Sequence, residues 1–269
     1  MRILKGIFHF YIHSSFHVAL AVVAFLFLRM QEWQLNPDSN LLIFTFLASI
    51  SGYNFVKYAG VAKLYHYRLT KQLKAIQLFS ALVFIAMLYY LFQLQQESLY
   101  LLLGLALLNF IYAFPIFKNG KNLRNLSGFK VFVIALVWSS TVVLLPFFEF
   151  GIQTDELIYF QFFQQFLFVV ALMIPFEIRD FRFDDNSLLT LPQVLGVWET
   201  KLVGVLFLVF SLLIAIFIEE INFIFTIIFS MLLGVSIILS KKNQGRYYAA
   251  FWVEAIPICA LVMNLIFGS

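Results

Sequence analysis

The chain has 269 residues, of which 62% are hydrophobic and only 12% charged, and it carries a net charge of +4. Soluble domains carry roughly 25% charged residues, so this composition excludes a water-solvated globule and points to helices solvated by lipid. The small positive excess is no nucleic-acid signal, because the basic residues lie in short connections between apolar runs, and the single cysteine, Cys259, excludes an internal disulfide and a multi-cysteine metal site.

A spanning helix needs about 20 mainly apolar residues, because the hydrocarbon core is about 30 Å thick and each residue rises 1.5 Å. Runs of that kind fall at 14–30, 40–60, 76–95, 98–117, 129–148, 157–177, 202–218, 221–240 and 247–267. The first is followed by Gln31-Glu32-Trp33 rather than a small-residue cleavage site, so it reads as a retained anchor. The breaks are all short, which leaves residues 1–269 as one multi-pass membrane domain of nine helices. Cys259 falls in the last run and reads as a small buried residue; Asn109 and Asn264 read as interhelical hydrogen-bond partners.

Charge tests this count independently. With the amino terminus in the cytoplasm and each run crossing once, every one of the 18 basic residues except Arg29 falls on the inner side. The outer segments hold Glu32, Asp38, Glu97, Glu149, Asp155, Glu156, Glu219 and Glu220. Cytoplasmic enrichment of Lys and Arg is the positive-inside rule. The reading is therefore a protein of the cytoplasmic or inner membrane with its carboxy terminus outside.

One inner segment breaks the pattern. Glu177, Asp180, Asp184, Asp185 and Glu199 lie together, whereas the other inner segments hold basic residues and no acid. Residues three and four apart share a helix face, so Glu177, Asp180 and Asp184 are expected on one side of the sixth crossing as it reaches the cytoplasm. Clustered carboxylates want a cation, and hard oxygen ligands suit Mg²⁺, which takes one or two carboxylates together with substrate phosphates. The plainer reading is a solvated helix end paired with Arg179 and Arg182. Two basic inner segments, 57–74 and 118–130, provide Lys57, Lys63, Arg68, Lys71, Lys74, Lys118, Lys121, Arg124 and Lys130. A carboxylate-held metal facing such loops makes a cradle for a diphosphate; the plainer reading is that inner loops are basic for reasons of topology alone.

These residues resemble a known family. The stretch Glu177-Ile178-Arg179-Asp180-Phe181-Arg182-Phe183-Asp184, followed by Thr190-Leu191-Pro192-Gln193-Val194-Leu195-Gly196, resembles the second aspartate motif of the UbiA superfamily of intramembrane prenyltransferases and the TLP…LG run after it. Tyr112-Ala113-Phe114-Pro115-Ile116-Phe117-Lys118 is similar to the family's Tyr–Pro–Lys segment. The resemblance implies a UbiA-like bundle around a central cavity that takes an isoprenoid tail. It implies a prenyl diphosphate and a membrane lipid as partners, with Mg²⁺ as cofactor. Carried over by position, Glu177, Asp180 and Asp184 are the implied metal ligands, and Asn54, Lys57, Lys118 and Arg179 the implied diphosphate contacts.

The first aspartate motif of the family departs here. Asn54 is kept, but Phe55, Tyr58 and Ala62 stand where its three acids are expected, which leaves Lys57 as a fixed cation to take their part. The second loop is also one residue short, with Leu188 at a usual glycine. The first functional reading is thus a prenyltransferase moving an isoprenoid from its diphosphate to a small or lipid acceptor. The alternative is a non-catalytic relative that binds an isoprenoid lipid or serves as a partner subunit; a small transporter is a third reading, without the matched broken helices such proteins show.

Two further features stand apart. His9, His13 and His17 recur at helical spacing, reading as a polar seam or interfacial anchor, with a metal or haem stripe as the sharper option. Glu254 lies within the last run, and an ionisable residue inside a membrane marks a functional site by default.

Overall fold

In a computed structural model, which describes residues 2–58, 71–114, 123, 128–152, 156–185 and 188–267, the protein is 82% helical, with no strand among the described residues. The helices in chain order are α1 (Arg2–His13), α2 (Phe16–Glu32), α3 (Ser39–Tyr58), α4 (Lys71–Leu91), α5 (Gln96–Ala113), α6 (Phe129–Ser139), α7 (Leu145–Glu149), α8 (Leu157–Asp180), the short α9 (Leu191–Val194), α10 (Val197–Phe217), α11 (Phe223–Leu239) and α12 (Ile256–Phe267).

Among the described residues seven helical stretches are long and apolar enough to cross a membrane, counting 129–149 and 248–267 each as one; α1 and α2, bent by 54° at Ser14-Ser15, make an eighth if they act as one. With α11 a shorter apolar helix of 17 residues, this is a multi-pass α-helical membrane protein.

Apolar surface is distributed as lipid solvation requires. In α4 and α5 only 11% and 17% of the span residues are buried, and side chains such as Leu82, Ile85, Leu103 and Leu107 face outward. By contrast α8 is 56% buried and is the hub, packed against α6, α10 and α11. Without a hydrophobic drive between helices in lipid, close packing at small residues brings them together. At Gly204 on α10, a Cβ would lie 3.1 Å from Ile174 of α8 and 3.2 Å from Ile237 of α11.

Local chemistry sets the element ends. Asp38 closes the start of α3, its side chain accepting from the Asn40 N–H at 2.7 Å, the usual role of an aspartate at an N-cap. Gly128 before α6 and Gly196 before α10 have φ of +74° and +95°, backbone that only glycine adopts freely. The Gly128 N–H donates to the Leu188 carbonyl at 2.9 Å, which lays the start of α6 against the segment that follows α8.

Three features differ from the sequence expectation. The first run begins well before residue 14: helix extends from Arg2, and the corner at Ser14-Ser15, with Ser15 at φ +63°, separates His13 from His17. The 129–148 and 247–267 runs are not uniform helices, since each contains a π turn, Ser140–Leu144 and Tyr248–Val253. An inserted residue of this kind leaves the apolar pattern intact, so hydropathy does not reveal it. Cys259 is exposed rather than buried, and Asn109 donates to Leu105 O within its own helix rather than across to another.

Candidate functional site

The acidic segment folds as the end of α8 and the turn after it. Glu177 and Asp180 lie on the last helical turn; Asp184 lies beyond the helix, in a turn closed by its N–H to Asp180 O at 2.9 Å. The three carboxylates do converge, but on a lysine. Lys130 of α6 places its ammonium 2.9 Å from Glu177 Oε1, 3.2 Å from Asp184 Oδ2 and 4.0 Å from Asp180 Oδ2. The contact with Oε1 is an ion pair without hydrogen-bond alignment at that oxygen. The Glu177 side chain is 2% exposed and that of Lys130 16%, so the pair is largely shielded from bulk water. Arg179 closes the other side of Asp180, donating from Nε at 2.7 Å and from Nη2 at 3.0 Å.

The TLP run has a visible task here. Gln193 accepts from the Thr190 N–H at 2.9 Å, and its Nε2 donates to the carbonyls of Asp184 and Asp185 at 3.2 Å each. It pins the turn that presents Asp184.

This arrangement does not fit Mg²⁺ as it stands. Such an ion binds carboxylate oxygens at about 2.0–2.1 Å in an octahedral shell, and the point where the three carboxylates could share it is taken by Lys130 Nζ. Among the described residues no group of three or more His, Cys, Asp or Glu side chains is placed to hold a metal ion. In sequence Lys130 is one basic residue of the 118–130 segment, 47 positions before Glu177; its nearness to the acids depends on the packing of α6 against α8.

The implied diphosphate contacts are occupied differently. Asn54 is 3% exposed and holds the α1–α2 corner: it accepts from Ser15 Oγ at 2.8 Å and donates to Ser14 O at 3.0 Å and Ser80 Oγ at 2.8 Å. Lys57 Nζ and Tyr58 OH both donate to the His13 carbonyl, at 3.0 and 2.9 Å, closing the exposed end of α1. Phe55 stacks on Phe114 at 5.8 Å between ring centres. Lys118 and Ala62 lie outside the described residues, as do Lys63, Arg68, Lys121 and Arg124.

No family model matches this chain, and neither a curated protein nor a solved structure is similar to it.

A second polar group lies deeper in the bundle. Glu254 follows the π turn 248–253 and is half-buried; its carboxylate makes no hydrogen bond or ion pair among the described residues. Lys57, Arg179, Tyr53 and Tyr11 are within electrostatic reach of it. Tyr53 in turn accepts from Trp138 Nε1 at 2.6 Å, two residues before the other π turn. The histidines form no single stripe, which removes the sharper metal or haem option: the His9 and His13 rings lie 3.9 Å apart, tilted by 30°, and both face Arg246, whereas His17 sits across the corner between Tyr11 OH at 2.7 Å and the Phe251 carbonyl at 2.9 Å. That is a polar seam joining α1 and α2 to the 248–253 turn.

Proposed function

We infer that the chain is a UbiA-like bundle that holds an isoprenoid-class lipid without a metal and without transferring its prenyl group. The observation that carries this reading is the seat of Lys130 among Glu177, Asp180 and Asp184, which puts the protein's own cation at the point the carboxylates would offer to a metal. Two more observations support it. Phe55 and Tyr58 replace acids, and the retained Asn54 and Lys57 are spent on the α1–α2 corner. Glu254 and the Tyr53–Trp138 hydrogen bond would give such a ligand a polar end.

The same reading takes the bundle as nine crossings with the amino terminus inside. The seven long helices, the bent α1–α2 pair and α11 together supply that number. Hydrogen bonds support the grouping of helix ends that this topology requires. Arg182 meets Asn243, Gln244 meets Pro175 O, and Arg246 meets His9 and His13 at the basic end. At the other end Gln95 N–H meets Glu149, Glu32 meets Asn222, and Trp33 meets Gln161.

Equilibrium binding tests the function. Purified protein is titrated with farnesyl or geranylgeranyl diphosphate and with the matching prenols, with and without Mg²⁺, and again as Asp180→Asn and Asp184→Asn. The expected result is binding of prenol and diphosphate that is indifferent to Mg²⁺ and to both substitutions. Binding that requires Mg²⁺ and fails in both variants returns the site to the transferase reading, with Lys130 displaced by the ion. No prenyl binding under any condition ends both.

A further inference from the structure

The one basic residue that departs from the inner-side pattern, Arg29, is not a loop residue. It sits in the last turn of α2, 5% exposed, and only its Nη2 is paired, with Gln164 Oε1 at 3.2 Å. Among the described residues its Nε and Nη1 have no partner, and neither has Nε2 of Gln165, which is 2% exposed. Arg29 and Gln165 line one cavity of about 60 Å³ between α2, α8 and the start of α11, walled by Phe25, Phe168, Phe225 and Phe229. Buried donors without acceptors cost free energy comparable to lost hydrogen bonds. Two buried side chains with three unpaired donors between them line this one cavity, which marks it as a site for an acceptor.

We propose that this pocket binds the uncharged ester carbonyl of an acyl-chain lipid, with the carbonyl oxygen on Arg29 and Gln165 and the chain along the phenylalanine wall. Size and charge select that chemistry. A water needs about 10–15 Å³ of such space, so the cavity takes a group of roughly four non-hydrogen atoms, the size of an ester. Glu32 and Glu220 line the same pocket. Glu32 is held by the backbone N–H groups of Ile221 and Asn222, and Glu220 by Gln164 Nε2 at 2.9 Å. Two acids already face one arginine, so an anionic ligand adds a third negative charge in a poorly solvated site, whereas a carbonyl adds none. The site lies at the opposite end of the bundle from Lys130 and does not depend on the reading given to that cluster.

The test uses the whole chain purified in an alkyl maltoside, a detergent without carbonyl groups. Native mass spectrometry follows titration with monoolein, with its oleyl glyceryl ether and with oleate. Monoolein is expected to bind saturably, and the ether, which lacks the carbonyl, about tenfold more weakly, as loss of a bond to a charged donor predicts. Gln165→Leu is expected to weaken monoolein roughly threefold to tenfold and to leave the ether unchanged; this variant removes a donor without disturbing the charges, whereas Arg29→Gln strands the two acids. Equal binding of ester and ether, or of wild type and Gln165→Leu, means that the cavity holds water only and overturns the proposal. Tightest binding of oleate overturns it in favour of an anion site.

Discussion

Lys130 is the residue on which the account turns. Removing one partner of a buried ion pair costs about 3–5 kcal/mol, because the other charge is left unpaired. Lys130→Met is expected to destabilise the protein by about 3 kcal/mol, at the lower end of that range, since Asp180 and Asp184 remain partly solvated. Adding Glu177→Gln to Lys130→Met should recover part of the loss. Thermal denaturation in detergent checks both, and a harmless single substitution contradicts the pairing. Asn54 is the companion case. Asn54→Ala abolishes three hydrogen bonds at the α1–α2 corner and is expected to cost about 2–3 kcal/mol. Phe55→Ala, on an exposed ring whose contact is the stack on Phe114, should cost clearly less in the same assay. These roles were only half legible in the sequence. The clustering of Glu177, Asp180 and Asp184 stood out against basic inner segments, but counting charges by side assigns each cation to a face of the membrane and says nothing of its partner. Arg29 and Glu32 were assigned to the outer side for the same reason, although both are buried.

At the scale of elements, helix packing around α8 leaves different room at different glycines. Gly204 faces Ile174 and Ile237 at contact distance, whereas a Cβ at Gly234 would meet only Leu208 at 3.6 Å. Gly204→Ile should therefore cost about 1–3 kcal/mol by overpacking, and Gly234→Ala should leave stability nearly unchanged, both read as melting shifts. The helices themselves were legible from apolar runs, because lipid imposes length and composition on every crossing. Their interruptions were not. The corner at Ser14-Ser15 and the π turns at 140–144 and 248–253 alter direction or register without altering hydropathy. These interruptions position groups: Trp138 lies just before one π turn and Glu254 just after the other, and the corner separates His17 from His9 and His13.

For the whole molecule, the proposed orientation rests on the asymmetry of charge in the sequence. In a Cys259→Ser background, Lys242→Cys is expected to react with a membrane-impermeant maleimide only from the cytoplasmic side, and Gln95→Cys only from the other. Reaction of both from one side removes the nine-crossing reading. Function at this scale depends on whether the carboxylates at the end of α8 serve an ion or serve the protein's own lysine. The most direct measurement is a titration of purified protein with Mn²⁺ as a paramagnetic stand-in for Mg²⁺, with bound ion read by electron paramagnetic resonance. The account predicts no saturable site in the wild type. A stoichiometric site that disappears in Asp184→Asn would contradict it.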